Sequence, residues 1–87
     1  MRYTRSIDWF EVWEEYIQGV IRSMYRNLSA DLDNGYNPLG ACIRQQKELI
    51  AEYEREYDDN LRKFREMNDE EIRHFCFYDL KLRGAIE

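Results

Sequence analysis

The feature that most constrains this chain is a repeat of apolar residues in its central third. Counted in heptads, the inward positions are Tyr36, Leu39, Ile43, Gln46, Ile50, Tyr53, Tyr57, Asn60, Phe64 and Met67. Eight of these ten residues are apolar or aromatic, whereas the positions between them carry mostly charged or amide side chains. A period of 3.5 residues sustained over this length is typical of a long helix that lies along another helix. The repeat therefore predicts a helix over residues 38–67.

A broader apolar face precedes this repeat. At 100° per residue, one arc of a helix collects Trp9, Phe10, Trp13, Tyr16, Ile17, Val20, Ile21, Met24 and Leu28. The arc covers nearly half of the helix and is wider than a seam between two helices requires. We therefore predict a first helix over residues 7–32, with Ser6 as its N-cap, that contacts two neighbours.

Turn residues separate these two helices. Asp33-Asn34-Gly35 favours the left-handed backbone at which helices end. Asn37-Pro38 is typical of an N-cap followed by the first helical residue. Because the connection is short, the two helices are expected to be antiparallel neighbours. The predicted fold class is thus all-α, an antiparallel hairpin of two long helices with coiled-coil-like packing.

A third, shorter helix is predicted over residues 69–83. Asn68 and Glu71 have the spacing of a capping box, and Gly84 is a stop signal. The competing interpretation is a strand, because Cys76, Tyr78, Leu80 and Leu82 alternate with other residues. We favour the helix because the chain offers no second strand for pairing. Residues 1–87 then form a single helical domain, preceded by a frayed basic lead over residues 1–5.

The distribution of charge argues against direct binding to nucleic acid. The formal net charge is −5, and the acidic excess is spread over residues 1–35, 36–67 and 68–87, at −2, −1 and −2. No basic stripe is present to contact phosphates. We therefore expect no direct nucleic-acid binding.

The cysteines and the hydropathy pattern suggest a compartment. Cys42 and Cys76 are far apart and form no CxxC pattern, and small secreted domains that depend on disulfides usually carry more cysteines. No apolar signal segment follows the polar start of the chain. No run approaches the roughly 20 apolar residues that span a bilayer. We expect a cytoplasmic protein with reduced thiols and no membrane contact.

Residues suited to metal binding or catalysis are few. Glu71 and His74 have the i,i+3 spacing of helical metal ligands, but a di-iron bundle needs two such pairs and further Glu residues. Zinc requires about four N or S ligands, and Cys42, Cys76 and His74 supply three at most. On a helix, His74 and Cys76 point in roughly opposite directions, so they form no local nucleophile–base pair. We predict no enzymatic activity, no metal and no cofactor.

The leading hypothesis is a non-enzymatic protein–protein interaction module that self-associates as a homo-oligomer through helix faces. Interfaces favour aromatic residues, and the candidate contact residues are Trp9, Trp13, Tyr16, Phe75, Phe77 and Tyr78. The alternative for these side chains is that they close the core of the chain itself. Gln46 and Asn60 interrupt the apolar repeat, so we expect them to fix register or partner choice, or else to meet water at the edge of the seam.

A second hypothesis belongs to a different class. A small acidic inhibitor of the phage type could block a nucleic-acid-binding host defence enzyme, with carboxylates in place of phosphates. The candidate residues are Glu11, Glu14 and Glu15, or Glu48, Glu52 and Glu56. The even spread of charge argues against this hypothesis, because a mimic should concentrate its negative charge.

Overall fold

The computed structural model describes residues 2–87 and contains three helices. Helix α1 spans Trp9–Asp33, α2 spans Ala41–Phe64 and α3 spans Asp69–Leu82. Helix α1 packs against both α2 and α3, so the prediction of an all-α hairpin with a shorter third helix is confirmed. The strand interpretation of the last segment is wrong, because the backbone is helical there and no strand occurs among the described residues.

The first helix begins two residues later than predicted. Its N-cap is Asp8 rather than Ser6, and the Asp8 carboxylate accepts a hydrogen bond from the backbone N–H of Glu11 at 3.3 Å. The carboxylate also complements the positive end of the helix dipole, which a serine hydroxyl cannot do. Two capping residues stand close together in the sequence, and the structure uses the charged one.

The lead before α1 is held against the fold instead of being frayed. The ring of Tyr3 stacks on His74 of α3 with centroids 3.9 Å apart. The Nε1–H of Trp9 donates to the carbonyl of Thr4 at 2.9 Å. The expectation of a frayed lead is therefore wrong for Tyr3 and Thr4, and Met1 lies outside the described residues.

The turn between the long helices differs from the prediction on one side. Helix α1 ends as expected, with Gly35 in the left-handed region at φ 92°. Helix α2, however, begins at Ala41 with Gly40 as its N-cap. The predicted start at Asn37-Pro38 is wrong because Asn37 forms a local turn. Its Oδ1 accepts from the N–H of Leu39 at 3.0 Å and its carbonyl from the N–H of Gly40 at 2.9 Å, which competes with helix formation.

The apolar repeat is covered along most of α2. Ile43, Ile50 and Phe64 are buried, and Tyr57 between them is partly buried. Helix α2 is continuous to Phe64 and stops three residues before the predicted end at Met67. A capping box between Asn68 and Glu71 then starts α3, as predicted.

The three helices enclose an aromatic core at one end of the molecule, which we call the head (residues 3–17 and 53–86). Its buried members are Trp9, Trp13, Ile17, Phe64, Cys76, Phe77 and Leu80. The Trp13 and Phe64 rings meet edge to face with centroids 5.3 Å apart, and those of Trp9 and Phe77 lie 4.8 Å apart. Each such side chain contributes about 1.5–3 kcal/mol when fully buried, so most of the stability resides in the head.

The remaining part of the hairpin, residues 18–52, is called the arm. Helix α3 has only 14 residues and ends before the arm, so the arm consists of two helices and their turn. Among its residues only Ile43 and Ile50 are buried. The molecule is correspondingly elongated, with extents of 48 × 26 × 16 Å.

Candidate interaction surfaces

The predicted aromatic contact residues divide between the core and the surface. Trp9, Trp13 and Phe77 are 0–2% exposed and belong to the core of the head. Tyr16 and Phe75 are partly buried against the same core. Tyr78 alone of the six is well exposed, at 58%. The first three side chains therefore offer a partner no accessible surface in this fold.

A chain of polar contacts fastens the end of α3 to both long helices. The Nε1–H of Trp13 donates to Asp79 Oδ2 at 2.7 Å, and the same oxygen accepts from Arg83 Nε at 2.7 Å. Arg83 also pairs with Glu56 of α2 and lies over the ring of Tyr53, 5.5 Å from its centroid. We call these residues the polar clasp. Burial lowers the pKa of the Arg83 guanidinium, but the hydrogen bond to Asp79 and the charges of Asp79 and Glu56 outweigh this effect and raise it.

The surface of α1 that binds α3 continues past the end of α3. Trp9 and Trp13 contact α3 directly. Tyr16, Val20 and Met24 follow at intervals of three or four residues, which places them on the same stripe of the helix. All three are only partly buried. The stripe is therefore covered by α3 in the head and left open in the arm.

Helix α2 supplies the other wall of this open surface. Tyr53 and Glu56 contact the end of α3, and Leu49 lies one helical turn before Tyr53 on the same face. Leu49 is 53% exposed. Between the two helices lies a recess of about 410 Å³, lined by Met24, Asn27, Ala30, Asp31, Gln46 and Leu49. We call this surface, together with the adjoining stripe of α1 from Glu15 to Asn27 and the adjoining surface of α2 from Gln45 to Glu52, the arm groove.

Carboxylates line the recesses along the groove. A second recess along α1 is lined by Glu15, Tyr16, Gly19, Val20, Ser23, Met24 and Asn27. A third, on α2, is lined by Gln45, Glu48, Leu49 and Glu52. Together the three recesses include four carboxylates, from Glu15, Asp31, Glu48 and Glu52, and no Lys or Arg. Sequence reasoning missed this site, although the wide apolar arc of the first helix was a signal for its floor.

The tip of the arm exposes a second apolar surface. Leu32 is 36% exposed, Tyr36 is 51% exposed and Leu39 is 82% exposed. Tyr36 and Leu39 were predicted to face inward, and they are exposed because they lie in the turn before α2 rather than in the helix. We call these three residues the tip patch.

The two polar residues of the apolar repeat occupy different environments. Gln46 is half-buried, and its Nε2 donates to Asp31 Oδ2 on α1 at 2.6 Å. Asn60 is buried, with 6% exposure. The Gln46–Asp31 bond joins the two helices at one level of the hairpin, which is the kind of contact that fixes register.

The six glutamates proposed as phosphate mimics lie on two helices, three on each. Glu14 accepts a hydrogen bond from Tyr57 at 3.1 Å, and Glu56 pairs with Arg83. These two carboxylates are engaged inside the molecule. Within residues 2–87, the side chains of Glu48 and Glu52 form no hydrogen bond or ion pair, so they are available on the surface. The inhibitor hypothesis stays a prediction.

The titratable groups considered for catalysis or metal binding are not brought together. Glu71 accepts the N–H of Asn68 in the capping box, whereas His74 contacts Glu70, with Nε2 and Oε1 3.2 Å apart.

Cys42 is exposed and Cys76 is buried, and both are free. Burial raises the pKa of the Cys76 thiol to about 12, with smaller contributions from nearby carboxylates, so this thiol is inert near neutral pH. Across residues 2–87 no three potential ligands cluster in a way that could hold a metal ion.

The helices also lack the character of membrane spans. None of those in the described part of the chain combines the length and the hydropathy that crossing a bilayer requires. Comparison of the chain with protein-family models, with curated proteins and with solved structures gives no match.

Proposed function

We propose that this protein is a non-enzymatic helical interaction module that self-associates through the tip of its arm. The observation that carries the proposal is the location of exposed apolar side chains. Of the seven large hydrophobic residues that are exposed in the described chain, five lie on the arm: Tyr25, Leu32, Tyr36, Leu39 and Leu49. Three of the five, Leu32, Tyr36 and Leu39, lie at the tip, and exposed apolar patches are typical of protein–protein interfaces.

The second copy of the chain is the proposed occupant of the tip patch. Leu32, Tyr36 and Leu39 present exposed apolar or aromatic side chains, so two identical patches can cover each other by apolar contact. Two-fold dimers pair such identical patches. A chain of this size has a thin core, and covering the tip removes apolar area that the monomer leaves in water.

The experiment is a measurement of mass by sedimentation equilibrium over a range of protein concentrations. The proposal predicts a species of twice the 10.7 kDa mass of one chain. Leu39→Glu should convert it to the monomer because it places a charge in the contact. Far-UV circular dichroism of each variant checks that the helices remain.

The matched control is Leu82→Glu on α3. Leu82 is 86% exposed, so the same substitution is made at an equally open apolar position on the head, one turn from Tyr78. This variant should remain dimeric. A wild-type monomer at all concentrations would overturn the proposal. Dissociation by Leu82→Glu but not by Leu39→Glu would move the contact to the head and overturn the assignment to the tip.

A further inference from the structure

We infer that the arm groove binds a basic amphipathic helix of another protein, in line with α3 and against the surface that α3 leaves open. The groove is separate from the tip patch, so this inference goes beyond self-association and does not depend on it. Its floor is apolar and carboxylates line its recesses, so the proposed partner has an apolar face flanked by basic side chains.

The way in which α3 binds shows what the surface recognises. In the head, the stripe of α1 contacts apolar and aromatic residues of α3, such as Phe77 against Trp9. At the end of α3, Arg83 pairs with Glu56 and lies over Tyr53 of α2. The surface thus already binds one helix in two ways. Apolar residues of that helix pack along α1, and its basic side chain pairs with a carboxylate of α2.

The apolar stripe and the carboxylates of α2 both continue further along the arm. Val20 and Met24 continue the apolar stripe of α1, and Leu49 continues the face of α2. Glu52 and Glu48 lie one and two helical turns from Glu56 in the direction of the tip. A helix that continues the direction of α3 would therefore meet an apolar floor and two carboxylates placed like the one that Arg83 binds.

Charge selects the partner. The recesses of the groove contain four carboxylates and no Lys or Arg, so a bound helix must supply the positive charges. Amphipathic helices bind grooves of this type through residues spaced at three and four.

The test uses a synthetic peptide of Leu, Ala and Lys with one apolar face flanked by lysines, and measures its affinity for the full chain by fluorescence anisotropy. The double variant Glu48→Lys/Glu52→Lys should weaken binding about tenfold or more, because it replaces two attractions with two repulsions. The control, Asp58→Lys/Glu66→Lys, makes the same change in net charge at two exposed positions away from the groove and should leave the affinity unchanged.

Two further peptides test whether binding requires positive charge and a continuous helix. A peptide with Glu in place of Lys should not bind. A peptide with a central Pro, which cannot form a continuous helix, should bind much more weakly. If the Pro peptide binds with the same affinity as the helical Lys peptide, binding reflects simple attraction between charges, as expected of an acidic mimic. That result would overturn the inference.

The two proposals fail independently. Leu39→Glu, which should abolish self-association, is expected to keep full affinity for the basic peptide. The inference is overturned if the wild-type chain does not bind the peptide, or if both double variants bind it equally, whatever the mass of the protein in solution.

Discussion

The head and the arm are built from the same two long helices, but only in the head are those helices enclosed. In the head, α3 covers the stripe of α1 that holds Trp9 and Trp13, and both side chains are almost fully buried. In the arm, the same stripe continues with Val20 and Met24 and has no third helix over it. One helix face thus stabilises the fold over part of its length and is available for binding over the rest.

This difference separates the stabilising core from the proposed binding surfaces along the chain. The buried members of the aromatic core all lie in the head, where they contribute most of the apolar burial. The arm can then expose apolar residues that would be a liability in a protein without such a core. We therefore expect substitutions in the head to change stability and substitutions on the arm to change association.

The largest expected effect comes from a matched pair on the shared stripe of α1. Trp13→Ala should lower the free energy of unfolding by about 3–5 kcal/mol, because it leaves a cavity under α3. Met24→Ala, two turns past Tyr16 on the same stripe, should cost only about 1 kcal/mol. Urea unfolding followed by circular dichroism at 222 nm measures both values.

If Trp13→Ala does not fold, Trp13→Phe keeps a ring in place and loses the hydrogen bond to Asp79. Equal costs at the two positions would contradict the division into head and arm.

The second prediction concerns alkaline pH and the thiol buried in the head. Cys76 has a pKa of about 12 in the fold against 9.0 for an ordinary thiol. Its neutral form therefore stabilises the fold fully below pH 9.0, and this contribution is lost as the pH rises toward 12. The loss approaches about 1.4 kcal/mol per pH unit.

Stability measured from neutral to alkaline pH should fall less steeply in Cys76→Ala than in the wild-type protein. Tyr3, Tyr25 and Tyr57 also have raised pKa values, but they titrate equally in both proteins and cancel in the difference. Cys42→Ala, at the exposed cysteine of the arm, controls for the removal of a thiol that is not buried. A Cys76→Ala curve parallel to that of the wild type would show that the thiol ionises freely and that this part of the head is open.

The smallest expected effect tests the register of the arm. Gln46→Ala removes the hydrogen bond to Asp31 and should destabilise the protein by about 1 kcal/mol. Gln45→Ala, at the neighbouring exposed position, should change the free energy of unfolding by less than about 0.5 kcal/mol. Urea unfolding of the two variants side by side gives the difference. If they are indistinguishable, Gln46 has no role in register.

The hairpin was predictable because periodicity alone encodes it. The apolar positions Ile43, Ile50 and Phe64 recur at intervals of seven and fourteen residues, and any helix with this pattern must cover them. The starts of the helices were less predictable. Ser6 and Asp8 both suit an N-cap, and Asn37 can cap a helix or form its own turn. Local hydrogen bonds of similar strength decide between such alternatives, and the sequence does not rank them.

The arm groove could not be predicted for a different reason. The wide arc on α1 indicated two neighbours, and this was correct. The sequence did not reveal that the second neighbour, α3, covers only the first part of the arc. Coverage depends on where a 14-residue helix lies along a 25-residue one, which is fixed by tertiary contacts such as Trp13–Asp79 and Arg83–Glu56. The same contacts decide that Trp9, Trp13 and Phe77 are core residues.

Native-state hydrogen exchange of the Leu39→Glu protein tests the division between head and arm most directly. Because this variant should be monomeric, its protection pattern reports the fold of a single chain. Amides of α1 in the head from Trp13 to Ile17, which lie beyond the unbonded first turn, should exchange only through global unfolding, whereas those from residue 20 to residue 33 should exchange at least about tenfold faster through local opening. Uniform protection along the whole of α1 would show that the arm is as well enclosed as the head, and would contradict the account.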